Sequence, residues 1–466
     1  MKTIKKIMLS GAEVWPIIEG GKGIGVSNGA TAGAFAAAGA VGTISGVFPP
    51  YINEQGEYQH MPVKSTHRKD RSREVIEFSI EGSIREIKKA FEISKGKGRI
   101  HLNILWGIAG AEEIIERVLE KTQGMLNGIT CGAGMPYKLA SIASKYKVFY
   151  YPIISSARAF NILWSRAYKE FPQYLGGLVY EDPWKAGGHN GLSNKDNPDQ
   201  PEDPYKRVQE IRDAARKVGM DNLPVIMAGG VWDLKNFEGW IDNQDLGPIC
   251  FQIGTRSLLT QESPISEQWK KKLMNIKKGD IILNNYSSTG FYSSALNNSF
   301  LAELQDRAKR QIEYKKEPEG EFRIPINVTN DKKVFVSEQG RLKAQKWLLE
   351  GFSKILETPE SSLLFLTKEK ARQIKTDQRD CKGCLAACKF SSWSTDAIRN
   401  FTTGILPDPR SFCILKTLQN LICGYNIDHE LVFSGHNTYK FSEDPLYANG
   451  YIPTVKELIL KMIKWE

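Results

Sequence analysis

The stretch "GGLVYEDPWKAGGHNG", Gly176–Gly191, joins two unlike patterns. Four apolar or β-favouring residues in a row, bounded by glycines, read as a short strand with both faces buried. Three glycines then surround a single histidine, His189. Glycine weakens regular structure, so such a cluster marks a tight turn or a close approach of bare backbone to something else. After a polar stretch, "DPYKRVQEIRDAARKVG" (Asp203–Gly219) carries apolar residues at helical spacing, and "PVIMAGG" (Pro224–Gly230) is again an apolar run ending in glycines. Strand, glycine loop, helix, strand is the βαβ unit of a parallel sheet.

The same unit repeats on both sides of this stretch. Apolar runs occur at Trp15–Gly20, Val41–Ser45, Arg99–Leu105, Gly128–Cys131, Lys147–Ile154, Gly176–Glu181, Pro224–Gly230 and Pro248–Arg256, most followed by a helical pattern. "GATAGAFAAAG" after the first is a helix of small residues able to pack closely. Eight such repeats predict a (β/α)8 TIM barrel over residues 1–295. A doubly wound open sheet is the alternative, but "GGKGIG" (Gly20–Gly25) is not a clean GxGxxG turn feeding a helix. The glycine clusters follow strands one, four, six, seven and eight, always at the carboxyl end. That is the face where barrels build their sites, and it predicts a flat or phosphorylated ligand against backbone. Amides after strands seven and eight, at Gly229, Gly230 and Gly254, with the Thr255 hydroxyl, would cradle a phosphate.

Composition sets the outer bounds. The chain has 466 residues, 41% hydrophobic and 25% charged, as in an ordinary folded protein. No run reaches the ~20 apolar residues of a membrane span, and no apolar h-region follows the basic start, so neither a membrane anchor nor a signal peptide is expected and the protein is read as cytoplasmic. The net charge of +10 is spread along the chain among acids, and no nucleic-acid-binding motif accompanies it. Seven cysteines, an odd number in a long chain, do not suggest a secreted disulfide framework. Cys131 and Cys250 lie in apolar surroundings and read as buried thiols.

Taken in order, "PIIEGGKGIGVSNGATAGAFAAAGAVGTIS", "HLNIL", "TCGAGMP", "KAGGHNG", "PVIMAGGV" and "FQIGTRSLLTQES" resemble the nitronate monooxygenase family, FMN-binding barrels related to the flavin-dependent enoyl-ACP reductases. The terminal "LVFSGHNTYK…TVKELI" resembles the end of that family. The resemblance implies an FMN-dependent enzyme that oxidises alkyl nitronates with O2. NAD(P)H-dependent reduction of an enoyl thioester on the same flavin is the alternative, and a flavoprotein acting as a non-catalytic partner is a third reading. It implies a small-molecule substrate and leaves a homo-oligomer open. His189 becomes the catalytic candidate. Gly21, Lys22, Gly23, Asn103, Gly132, Asp182, Gly187, Gly188, Gly229, Gly230, Gln252, Gly254 and Thr255 become flavin contacts. Lys22 replaces a common Met. "EDPWKAGGH" departs from the usual "QGxEAGGH", so Glu181 or Asp182 takes the place of a flavin-facing Gln and Lys185 that of an acid. Either lysine would set a cation near the flavin ring, or it is simply solvated. On this reading Gly187 and Gly188 are bare because flavin and substrate lie against them.

Residues 296–466 change to charged helical patterns, "SFLAELQDRAKRQIEYKKEPEGE" and "GRLKAQKWLLEGFSKILE". They are expected to form an enlarged, mainly helical cap over the flavin. Within them "DCKGCLAACKFSSW" spaces Cys381, Cys384 and Cys388 as C-x2-C-x3-C, with Cys413 further on. An iron–sulfur cluster or a zinc ion would use such a set, and a helix bearing reduced thiols is the alternative.

Overall fold

The computed structural model describes residues 2–53, 55–193, 196–329 and 332–465. Eight parallel strands close into a barrel: β1 Ile17–Glu19, β2 Val41–Ser45, β3 Arg99–Leu105, β4 Gly128–Gly132, β5 Phe149–Ile154, β6 Leu178–Glu181, β7 Val225–Ala228 and β8 Ile249–Ile253. Each pairs with its sequence neighbours, and β8 closes on β1 through Gln252 and Ile18. Every strand expected from the apolar runs is present. The period of two then sorts their side chains. Ile18, Val41, Tyr151, Val179, Ile226 and Cys250 fill the barrel interior as one cluster. The alternate residues, Ile17, Tyr150, Tyr180, Val225 and Phe251 among them, pack outward under the helices.

The helices have sequence reasons. Asn28 accepts bonds from the amides of Ala30 and Thr31, and Thr31 returns one, so a capping box starts α1 (Gly29–Ala37). Its glycines admit the neighbouring helix α2 (Arg68–Ser94): a side chain at Gly33 would fall 2.7 Å from Ile93. α3 (Ala111–Lys121) buries Ile114, Ile115, Val118 and Leu119 on one face and carries Glu112 and Glu113 in its first turn. α4 (Leu139–Lys145) and α5 (Ala157–Arg166) follow, the latter capped by Ser156; α6 (Pro204–Arg216) is capped by Asp203 with proline in its first turn.

An N-terminal hairpin, Ile7–Leu9 with Ala12–Val14, stops the amino end of the barrel. Its Ser10 Oγ lies 2.8 Å from His101 Nε2 and 2.6 Å from Tyr151 OH. Beyond β8 stand α7 (Glu267–Met274) and a three-stranded antiparallel sheet in which Gly188–His189 pairs with Ser293–Leu296, and that strand with Ile281–Asn284.

The region after residue 296 contributes the expected helices, α8 Ser299–Lys309, α9 Glu338–Leu349, α10 Lys368–Arg379, α11 Ile414–Ile422 and α12 Val455–Lys464. Three small antiparallel sheets accompany them. Gln311–Glu313, Ser362–Leu366 and Lys354–Glu357 form one, Ile324–Thr329 with Lys332–Val336 a second, and Ala387–Cys388 with Trp393–Ser394 a third. The first two share a core of Ile312, Tyr314, Val334, Val336, Leu363 and Phe365. α12 returns to the barrel wall and packs on α1. Among the described residues, no helix is long and apolar enough to cross a membrane.

Candidate active site

The carboxyl ends of the strands open into a chamber of about 520 Å³, within the ~300–1,000 Å³ usual for small-molecule sites. The interior-facing residues at the tops of β2 to β8 supply its wall: Ser45, Asn103, Gly132, Ile153, Glu181, Ala228 and Gln252. The loops add Gly20–Ile24 after β1, Ala186–Ser193 after β6, Gly229–Trp232 after β7 and Gly254–Thr255 after β8.

Every flavin contact read from the sequence lines this chamber except Asp182. The pleat explains the exception. Asp182 is in phase with outward-facing Tyr180, whereas Glu181 is in phase with inward-facing Val179. Asp182 is 1% exposed, accepts a bond from the Trp184 amide at 2.9 Å and lies behind Gly229. Glu181 takes the chamber position. Burial, and then the adjacent Asp182 carboxylate, push its pKa up to about 8.

The two lysines differ. Lys22 Nζ turns down onto the buried Glu19 carboxylate at 2.9 Å and donates also to the Gly20 carbonyl and Ser257 Oγ. Its charge is therefore compensated and is not a free cation beside the ring. Lys185 is half-exposed, reaches Asp182 at 4.0 Å, and lays its stem along Gly230.

Gly187 is bare for a reason within the chain itself. A side chain at Gly187 would sit 2.6 Å from the Gly435 nitrogen and the Ser434 carbonyl carbon, so Gly187 makes room for the C-terminal segment. Gly188 has φ +76°, and a side chain there would make only ordinary contact with Phe433. That segment is tied in place: the Gly435 amide donates to Thr255 Oγ1 at 2.9 Å, and Asn437 Nδ2 donates to the Gly230 carbonyl.

His189 is held as part of a strand. It pairs with Ser293, its Nε2 is 2.7 Å from Ser287 Oγ, and its ring stands edge-on to Phe433 at 5.2 Å. Burial lowers its pKa to about 4, so the imidazole is neutral at physiological pH.

Two observations bear on whether the chamber fits a flavin. Asn190, 5% exposed on the wall, has a buried Nδ2 donor without a partner. Above Gly254 a side chain would meet nothing, so the wall opens where β8 ends. An unpaired buried donor and an open glycine floor suit a ligand rich in acceptors with a phosphate end. Asn190 was missed in the sequence although it adjoins His189. Ser45 was missed as well, although it ends an alternating strand.

The cysteines lie on another side of the same space. Cys384 and Leu385 reach the chamber wall, as do Ile414 and Leu415 of α11. All seven cysteines are free thiols. Among the described residues no group of three or more His, Cys, Asp and Glu side chains is arranged to hold a metal ion, so the zinc reading has no site. The loop 381–388 is not the helix of the alternative reading, since it runs without helical turns.

A closed parallel barrel whose carboxyl end gathers glycine loops and amide side chains into one chamber has the architecture of a barrel enzyme. The chain is a member of the nitronate monooxygenase family, whose family model matches residues 5–346. A probable nitronate monooxygenase of Staphylococcus aureus strain Newman is 31% identical over 120 residues, which are 26% of this chain. The match spans 31% of that relative's length. In fold the chain is similar to FabK from Thermotoga maritima, with a TM-score of 0.52 and 14% identity over 96% of this chain and 91% of that one. It is also similar to the enoyl reductase domain of MlnA from the macrolactin biosynthesis cluster of Bacillus amyloliquefaciens. There the TM-score is 0.53 at 11% identity, covering 97% of this chain and 93% of that one.

Proposed function

We propose that the protein binds FMN in the chamber and oxidises alkyl nitronates, with O2 as the final acceptor. When bound, the flavin supplies a two-electron acceptor that O2 can reoxidise. Gly229, Gly230, Gly254 and Thr255 would hold its phosphate, with Lys185 beside Gly230 as counter-charge. Asn103, Glu181, Asn190 and Gln252 would meet its polar edges, Glu181 as a donor while protonated. Tucked against Glu19, Lys22 shapes the loop over the flavin.

The observation that carries the choice of substrate is His189. An imidazole whose pKa is about 4 is a poor base at neutral pH, where an effective catalyst has a pKa near the working pH. A nitronate is already the carbanion-equivalent anion and needs no proton removed. The neutral ring then orients the nitro oxygens through a hydrogen bond, and Ser287 fixes its tautomer and aim.

The apolar face of α11 supports the second reading, reduction of an enoyl thioester with a nicotinamide. Ile414, Leu415, Leu418 and Leu421 face the chamber at helical spacing and would suit an acyl chain.

Anaerobic mixing of the purified yellow protein decides between them. Bleaching by ethyl nitronate but not by NADH or NADPH, with FMN released on heat denaturation, is the expected result. Bleaching by the nicotinamide alone would overturn it. His189→Asn should change the nitronate rate less than about tenfold, since no proton transfer is lost. A loss of the ~10²–10⁴-fold expected for a general base would reinstate that role.

A further inference from the structure

We propose that Cys381, Cys384, Cys388 and Cys413 bind a four-iron, four-sulfide cluster beside the flavin chamber. Three of the thiols come from one non-helical segment, which ends in a short strand where Cys388 pairs with Trp393. The fourth, Cys413, is the residue at which α11 begins. The loop is fixed on both sides: the Ala109 amide donates to the Cys384 carbonyl at 3.1 Å, and Arg71 Nη1 to the Cys381 carbonyl at 3.1 Å. Gly383, between the first two thiols, has φ +75° and passes so close to the Trp393 indole that no side chain fits there. The backbone of C-x2-C is thus bent and pinned without help from the sulfurs.

The four sulfurs share one environment. Cys381, Cys384 and Cys388 are buried and Cys413 is half-buried, and each of the four lies within electrostatic reach of the other three. Four thiols gathered in one place make the ligand set of such a cluster. A single ion at Zn–S ~2.3 Å would draw its ligands together around one point, and no such group is present among the described residues. A cube takes one thiolate on each of four irons and holds them further apart.

Packing alone does not account for the donors aimed at these sulfurs. Ser391 Oγ donates to Cys381 Sγ at 3.1 Å. The Gly383 amide lies beside Cys381, and the Lys416 amide, in the first turn of α11, beside Cys413. Donors to sulfur stabilise thiolates and tune the potential of a bound cluster, whereas an apolar thiol needs none. Arg68 and Lys382 stand within electrostatic reach as counter-charges. Because Cys384 also lines the flavin chamber, the cluster would lie at its wall.

The test is metal analysis of protein purified without oxygen. About four irons and about four acid-labile sulfides per chain are expected, with broad absorbance under the flavin bands that dithionite removes. Cys413→Ser and, separately, Cys388→Ser should each lower iron by more than half. Should either variant fail to fold, incubating the unsubstituted protein anaerobically with ferrous iron and sulfide gives the same decision by iron uptake. Overturning outcomes are a single zinc without iron, protein that stays iron-free after that incubation, or iron content indifferent to both substitutions. None of these readouts depends on which substrate the flavin oxidises.

Discussion

Glu181 and Asp182 are neighbours on opposite faces of β6, and only the first can answer to a ligand. Its raised pKa has a consequence for stability. The carboxyl titrates near 8 in the folded chain and near 4.5 when unfolded, so between those values the folded state holds the extra proton. Stability from this group is complete below about pH 4.5 and is lost as pH rises through about 8. Glu181→Gln removes the titration. The variant should melt with the wild type at pH 5 and above it at pH 8.5, and equal melting temperatures at both values would place Glu181 in water. Gly187 makes a second case at this scale. Its missing side chain makes space for Ser434–Gly435, so Gly187→Ala must move that backbone and should cost about 1–3 kcal/mol of unfolding free energy by urea titration. An unchanged midpoint would mean that the terminal segment is loose.

At the scale of elements, the barrel strands were legible because parallel strands buried on both faces run as unbroken apolar stretches. The helices between them were legible from period and caps. The small sheets after residue 310 were not read. "KKVFV" pairs with the strand just before it, and that alternating hairpin was overlooked. "QIE" is short and pairs with Ser362–Leu366, about 50 residues on, which no local pattern marks. The same limit hid why Gly187 of "AGGHNG" has no side chain. Its position beside the chamber was readable, but the chain that crosses Gly187 comes from some 250 residues away. The Asp182 error was of another kind, since alternation through Val179 and Glu181 was already in the sequence. The N-terminal hairpin allows a test of separation between elements. Ser10 satisfies buried His101 and Tyr151 at the barrel end opposite the chamber. Ser10→Ala should cost about 1–3 kcal/mol by leaving buried polar groups unpaired, while the flavin spectrum and occupancy stay as in the wild type. Loss of flavin in that variant would show that the floor and the mouth of the barrel are coupled.

Over the whole molecule, the last thirty or so residues tie the cap region to the barrel mouth. Arg256, at the end of β8 and 1% exposed, donates to Asp444 Oδ2 at 2.7 Å and to the Trp232 carbonyl, with the Trp232 ring beneath its guanidinium. Lys461 of α12 reaches the other Asp444 oxygen at 3.1 Å, and Glu262 accepts from the Val455 amide that opens α12. Asp444 thus joins β7, β8 and the closing helix at a single carboxylate. Burial alone would raise its pKa, but Arg256 and Lys461 outweigh burial and hold it below the usual range. Removing the carboxylate leaves a buried guanidinium without its counter-ion, a loss of about 3–5 kcal/mol when one partner of such a pair is deleted. Asp444→Ala should therefore lower the urea midpoint by that amount. It should also weaken FMN retention, because Gly435 and Asn437, a few residues earlier, hold Thr255 and Gly230 at the proposed phosphate site. Asp444→Asn keeps the size and one acceptor and should recover part of both. Should Asp444→Ala destabilise the chain yet retain flavin fully, the terminal segment would be a brace for the barrel and no part of the flavin site.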